Sequence, residues 1–242
     1  MKAGRIHSLQ SLGAVDGPGL RYVVFLQGCP LRCVYCHNPD TWAFGGGQEL
    51  TADELTAKII RFKGYFGKEG GVTVSGGEPL WQAEFVTELF QKLHQQGIHT
   101  ALDTSCVRVD AAAQELLCHT DLVLADLKFT TPEDYRRYTG GDYHTVRHFL
   151  DRTREMGVPV WIRHVVVPGL NDTVESMCEV QEIAQSYPNL QKIEWLPFQN
   201  LCQEKYDSMG IPFPLEATQP MAQERLDALV QELNRRSAPK PE

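Results

Sequence analysis

Six short runs of β-branched and apolar residues are each paired with a longer amphipathic stretch, and this alternation constrains the fold more than any other feature. The runs cover 21–27, 72–75, 99–103, 122–126, 158–166 and 192–196. Several are apolar nearly throughout, as strands buried on both faces are. The helical stretches cover 51–66, 83–96, 110–119, 132–138, 144–156, 173–187 and 219–235. Thr51 followed by Glu54 reads as a capping box that opens the first of them. Strand-then-helix repetition implies parallel strands joined by crossovers of one hand. Six units rather than eight predict an α/β fold of the incomplete (β/α)6 TIM-like barrel type, with an open doubly wound sheet as the alternative.

The 242 residues contain no linker, repeat or low-complexity tract before the last few. A single domain over 1–242 is therefore expected, with its core at about 15–200, a C-terminal helix at 219–235 and a frayed tail at 237–242. Lys and Arg number 23 against 31 Asp and Glu, a formal net charge of −8. Such an acidic chain is a poor general phosphate binder, so nucleic acid is not an expected partner. No apolar run reaches the roughly 18–20 residues that span a bilayer. Residues 1–10 hold no apolar signal core, so a membrane is not expected and a cytoplasmic location is. The seven cysteines are an odd number, which in a reducing compartment favours metal or catalytic roles over disulfides.

Polar residues collect where the expected strands end. Gly28-Cys29 follows the first, Gly76-Gly77-Glu78 the second, Asp103-Thr104 closes the third and Asp126-Leu127-Lys128 the fourth. In parallel α/β folds ligands bind at the carboxyl ends of the strands, so four such clusters predict one shared site. The densest chemistry is in Cys29-Pro30-Leu31-Arg32-Cys33-Val34-Tyr35-Cys36. Three thiolates on one loop can wrap an iron–sulfur cluster or zinc. A structural zinc site is closed by four ligands, and here three cysteines lie together with His37 adjacent. Three ligands on a four-iron cluster leave one iron open. Arg163 lies inside an apolar run, where an unpaired charge is costly, so it is expected to face a carboxylate or the mouth of the site. Cys106, Cys118, Cys178 and Cys202 lack clustered spacing and read as small buried hydrophobes.

The spacing Cys-x3-Cys-x2-Cys, with Tyr35 before the last cysteine, resembles the signature of the radical S-adenosylmethionine superfamily. A longer series resembles one family of glycyl-radical enzyme activases, the pyruvate formate-lyase activating enzymes. It includes Gly4-Arg5-Ile6-His7-Ser8, Val15-Asp16-Gly17-Pro18-Gly19, Tyr35-Cys36-His37-Asn38, Ser75-Gly76-Gly77-Glu78, Trp161-Ile162-Arg163 and Val165-Val166-Val167-Pro168-Gly169, in order to about Gly210.

That resemblance implies a reduced 4Fe–4S cluster, held by Cys29, Cys33 and Cys36, that cleaves S-adenosylmethionine to methionine and a 5′-deoxyadenosyl radical. The radical would take a hydrogen atom from a glycine Cα of the partner, pyruvate formate-lyase. It further implies cofactor contacts from Tyr35, Cys36, His37, Gly77, Asp126, Leu127, Lys128 and Arg163. A Na+ or K+ site is implied at Asp103, Thr104 and Asp126, and a place for Asp16 beside the substrate peptide. The family shows a Tyr-His pair after Leu196-Pro197, where this chain has Phe198-Gln199, so Gln199 stands in the histidine's place. A flavodoxin-type electron donor and a monomeric state are also implied. Other glycyl-radical activases commonly insert a cysteine-rich segment after the first motif, and residues 38–50 contain no cysteine. A small-molecule enzyme such as a deazaguanine synthase shares the fold. A ferredoxin-like scaffold would require four cysteines around its cluster.

Overall fold

A computed structural model describes residues 3–237. Eight strands form one sheet: β1 (Ala3–Gly13), β2 (Arg21–Leu26), β3 (Gln48–Thr51), β4 (Gly71–Gly76), β5 (His99–Thr104), β6 (Leu122–Asp126), β7 (Val160–Val166) and β8 (Leu190–Pro197). Their order is β3-β1-β2-β4-β5-β6-β7-β8, and the sheet does not close on itself. The six expected strands, β2 and β4 to β8, are all parallel to one another. The incomplete barrel is therefore present, as a single α/β domain.

The expectation of parallel strands alone is corrected at one edge. β1 runs antiparallel to both β2 and β3, with Ile6 opposite Leu26 and Gly4 opposite Leu50. Local pattern hides these two strands. Most of β1 alternates between half-covered and exposed positions, and β3 has four residues. They exist by pairing across sequence rather than by an apolar run of their own.

The helices are α1 (Ala52–Ile60), α2 (Ala83–Gln95), α3 (Ala111–Leu117), α4 (Pro132–Thr139), α5 (Tyr143–Met156), α6 (Val174–Gln185), α7 (Gln203–Met209) and α8 (Gln223–Ser237). The capping box forms: the Thr51 hydroxyl accepts from the Glu54 amide, and Glu54 accepts from the Thr51 amide at 2.8 Å. The stretch expected as one helix over 51–66 breaks after Ile60 into a 3-10 turn at Lys63–Tyr65. The short, polar α7 is not foreshadowed by any apolar stripe. The last helix begins at Gln223, past Pro220, and includes Ser237, the first residue of the expected tail; 238–242 lie outside the described residues.

Phe85, Val86, Leu89, Phe90 and Leu93 recur at helical spacing and bury one face of α2 against the sheet. Val24, Val72, Val74, Leu102 and Val123 are fully buried on the strands beneath the helices. Each such side chain stabilises the fold by about 1.5–3 kcal/mol. Among the described residues no helix is long and apolar enough to cross a membrane.

Candidate active site

The carboxyl ends of β2, β4, β5, β6, β7 and β8 surround a cavity of about 380 Å³. Cys29, Cys33, Cys36, Tyr35, His37, Gly77, Asp103, Thr104, Asp126, Lys128 and Arg163 all line it. Four strand ends thus do meet at one site.

The loop after β2 carries the cysteines and is held at several points. The Gly28 amide donates to the Thr41 carbonyl at 2.7 Å, and the Arg32 and Val34 amides donate to the carbonyls of Thr139 and Tyr138 at 2.9 Å. Gln27 Nε2 donates to the carbonyls of Asp40 and Ala43. From α7 the Tyr206 hydroxyl donates to the Cys36 carbonyl at 3.2 Å, and Lys205 Nζ donates to Asn38 Oδ1 at 2.9 Å. The turn after β4 locks to the same loop: the Glu78 amide donates to the Gly28 carbonyl at 2.9 Å. A Cβ on Gly77 would sit 2.3 Å from that carbonyl oxygen, so only glycine permits this approach.

Burial pushes the Cys29 thiol up to about 12, with Glu78 adding to the effect, and the Cys33 thiol up to about 11 against the pull of Lys128. Burial also raises Cys36, opposed by the Asn38 amide and the Trp42 indole. Unloaded, these are protonated thiols, and a soft metal must displace their protons. The Tyr35 hydroxyl is buried and has no hydrogen-bond partner among the described residues, a polar atom left for something the cavity receives. Among the described residues no three His, Cys, Asp or Glu groups converge on one point that could hold a single ion. A polynuclear cluster needs no such convergence, because each thiolate binds a different iron. Donor chemistry and the orphan hydroxyl fit an iron–sulfur cluster with a bound organic cofactor.

Charge is concentrated on the cavity wall. Arg163 Nη1 lies 3.2 Å from Asp103 Oδ2. Its Nε lies 3.2 Å from Glu194 Oε2 but off the hydrogen-bonding direction, an ion pair only. The expected carboxylate partner is thus found. Asp103 also accepts from the Ser75 hydroxyl at 2.6 Å. Burial raises the Asp103 carboxyl to about 6 although Arg163 pulls it down. Burial alone would lower the Arg163 pKa, but Asp103, Asp126, Glu194 and Asp16 hold it above the ordinary value. Lys128 is no solvated surface lysine: its side chain is 12% exposed and its Nζ lies 2.7 Å from Asp126 Oδ2.

Three expected contacts lie off the cavity wall. Leu127 is fully buried, with its side chain in the hydrophobic core. Gln199 is absent from the lining, but its carbonyl accepts from His37 Nε2 at 2.7 Å. Asp16 is absent too; its carbonyl accepts from the Thr73 hydroxyl at 2.6 Å. Of the four scattered cysteines, Cys106 and Cys202 are buried, Cys178 is half-buried and Cys118 is exposed. Cys118 departs from the expectation because it caps the C-terminus of α3.

Sequence reading assigned no role to Glu78. Its carboxylate is completely buried and accepts from the Leu80 amide, the Thr104 hydroxyl at 2.6 Å, and both the amide and hydroxyl of Ser105. It ties the end of β4 to the end of β5. A charged residue closing a Gly-Gly turn at a strand end was the signal available.

A radical SAM superfamily model matches residues 23–180. The chain is 46% identical over 226 residues to a pyruvate formate-lyase-activating enzyme of Clostridium pasteurianum, covering 93% of this chain and 94% of that protein. A solved domain of a pyruvate-formate lyase-activating enzyme from Bacteroides vulgatus superposes with a TM-score of 0.56 at 25% identity, over 69% of this chain and 94% of that one. Streptococcus suis SuiB, bound to its precursor peptide SuiA, superposes with a TM-score of 0.69 at 13% identity over 96% of this chain and 48% of that one, a likeness of fold.

Proposed function

This chain belongs to the radical SAM superfamily and, within it, to the pyruvate formate-lyase-activating enzymes, and from that membership we propose how its cavity works. It activates pyruvate formate-lyase. When bound, a reduced 4Fe–4S cluster supplies the electron that cleaves S-adenosylmethionine to methionine and a 5′-deoxyadenosyl radical, which takes a hydrogen atom from a glycine Cα of the lyase. The observation that carries this reading is the facing of three soft donors, Cys29, Cys33 and Cys36, into one cavity at the strand ends.

Those three cysteines would hold the cluster as thiolates and leave it a position open to S-adenosylmethionine. Gly77 would present main chain to the cofactor. Tyr35 and His37 flank the cluster, the free Tyr35 hydroxyl serving the cofactor. Asp126 and Lys128 contact the cofactor with their side chains, and Leu127 between them anchors the segment, its amide and carbonyl bonded to Arg163 and His164. Arg163 balances the surrounding carboxylates, and Gln199 holds the His37 ring through its carbonyl. Asp103, Thr104 and Asp126 offer hard oxygen atoms to Na+ or K+. Asp16, Asp103, Asp126 and Glu194 outnumber Arg163 and Lys128 there, which favours a further positive charge. Asp16 would meet the entering substrate peptide. The electron comes from a donor such as flavodoxin, and the chain works as a monomer in the cytoplasm.

The test mixes reconstituted, reduced protein with S-adenosylmethionine and pyruvate formate-lyase under strict anaerobiosis. Electron paramagnetic resonance should record a glycyl-radical doublet. Release of 5′-deoxyadenosine without a doublet would move the assignment to another glycyl-radical protein or a small-molecule substrate.

A further inference from the structure

Behind the cavity wall a buried imidazole grips the segment that carries Lys128. His164 sits on β7 next to Arg163, and alternation along the strand sends the two side chains to opposite faces. Arg163 lines the cavity, whereas His164 is 1% exposed and turned away from it. His164 Nδ1 lies 2.6 Å from the Leu127 carbonyl oxygen, and Nε2 lies 3.0 Å from Asn171 Nδ2.

The geometry fixes every proton in this chain. A carbonyl only accepts, so Nδ1 carries hydrogen. Asn171 is oriented independently of the histidine. Its Oδ1 accepts from the Val167 amide at 2.6 Å, and its Nδ2 donates to the Val165 carbonyl at 2.9 Å. The amide nitrogen therefore faces Nε2 and donates to it, which leaves Nε2 an acceptor. The imidazole is neutral with its hydrogen on Nδ1. Burial favours the same state, pushing the imidazole down to about 4.

The gripped segment has a working side. The Leu127 amide donates to the Arg163 carbonyl at 3.0 Å. The Tyr135 hydroxyl donates to the Asp126 carbonyl at 3.2 Å and accepts from the Lys128 amide at 3.3 Å. With both sides of the Leu127 peptide unit held, the Asp126 and Lys128 side chains emerge into the cavity, Lys128 Nζ 5.9 Å from the centroid of the Tyr35 ring.

We propose that His164 and Asn171 are a positioning pair that fixes the Leu127 peptide and thereby aims Lys128 and Asp126 at S-adenosylmethionine; this rests on the reading that the cavity binds that cofactor. Neither residue touches the cofactor. Their effect is on the geometry with which the segment between them and the cavity presents its charges.

The experiment uses the full chain with its cluster reconstituted. It measures S-adenosylmethionine affinity by equilibrium dialysis, iron and sulfide per chain, and the thermal midpoint. His164→Leu should bind the cofactor roughly tenfold more weakly with iron and sulfide unchanged. His164→Asn, whose amide keeps a donor near the Nδ1 position, should recover most of the affinity. The decisive measurement is a double-mutant cycle with Lys128→Met. If the pair acts through this segment, adding His164→Leu to Lys128→Met weakens binding little further; losses that multiply independently overturn the proposal. Unchanged affinity in His164→Leu also overturns it. Should His164→Leu fail to fold, Asn171→Leu takes its place in the same cycle with the same outcomes. A wild-type chain that carries its cluster yet binds no S-adenosylmethionine overturns the reading of the cavity itself, a result distinct from any difference between variants.

Discussion

Replacing Arg163 with methionine tests whether the cavity wall depends on one guanidinium. Arg163, Asp103 and Glu194 have side chains 13%, 14% and 21% exposed, with both ion-pair distances at 3.2 Å. At an effective dielectric constant of about 20, each such contact is worth about 5 kcal/mol of attraction. Desolvation cancels part of that, and removing one partner of a buried pair costs about 3–5 kcal/mol. For a chain of this size that is roughly 6–20 °C in thermal midpoint. The loss should depend on pH, with a definite sign. An unfolded aspartate titrates near about 3.9, whereas burial holds folded Asp103 at about 6 even with Arg163 beside it. Without Arg163 the folded value rises further. A carboxyl with a raised folded pKa contributes stability at low pH that is lost as pH climbs through that value. The deficit of Arg163→Met against wild type should therefore widen as pH rises through about 6. Urea denaturation of the metal-free protein measures it, in buffer without Na+ or K+ so that no small cation replaces the guanidinium. A deficit under about 1 kcal/mol that is flat with pH would refute the reasoning, because it would mean that water already solvates these carboxylates.

Cys33→Ala should fold with stability within about 1–2 kcal/mol of wild type yet fail to retain a cluster on reconstitution; iron analysis and visible absorption check it, and full iron content would remove Cys33 from the ligand set. Gly77→Ala must push the turn away from the Gly28 carbonyl, at a cost of about 1–3 kcal/mol. Its S-adenosylmethionine affinity, read by equilibrium dialysis, should fall about tenfold, equivalent to about 1.4 kcal/mol. Unchanged affinity would show that the two turns separate freely.

The parallel strands were legible because burial on both faces imposes an apolar run that needs no partner to be recognised. The site was legible for a related reason: polar residues at the ends of such runs have few other places to be. Arg163 announced its partner because a charge within an apolar run must be compensated. What stayed hidden depends on distant pairing. β1 takes its register from β2 and β3, and Glu78 collects donors from β5 and the residue after it. Leu127 was assigned to the cofactor with its neighbours, but alternation along an extended segment turns it away from Asp126 and Lys128. His164 gave no signal at all, since Leu127 becomes its partner only once β6 and β7 lie side by side, and Asn171 only once the turn after β7 folds back on the strand.

From β4 onward, sheet order repeats chain order, β5 through β8 each lying beside the strand written just before it. A nascent polypeptide can therefore lay down this wall plank by plank, with loop closures that stay short. The negative charges of Asp103 and Asp126 are synthesised well before Arg163. A ribosome-bound intermediate ending at β6 would thus hold two acids facing inward with their guanidinium still to be translated. Arrival of β7 covers that open edge of β6 and brings Arg163 to Asp103.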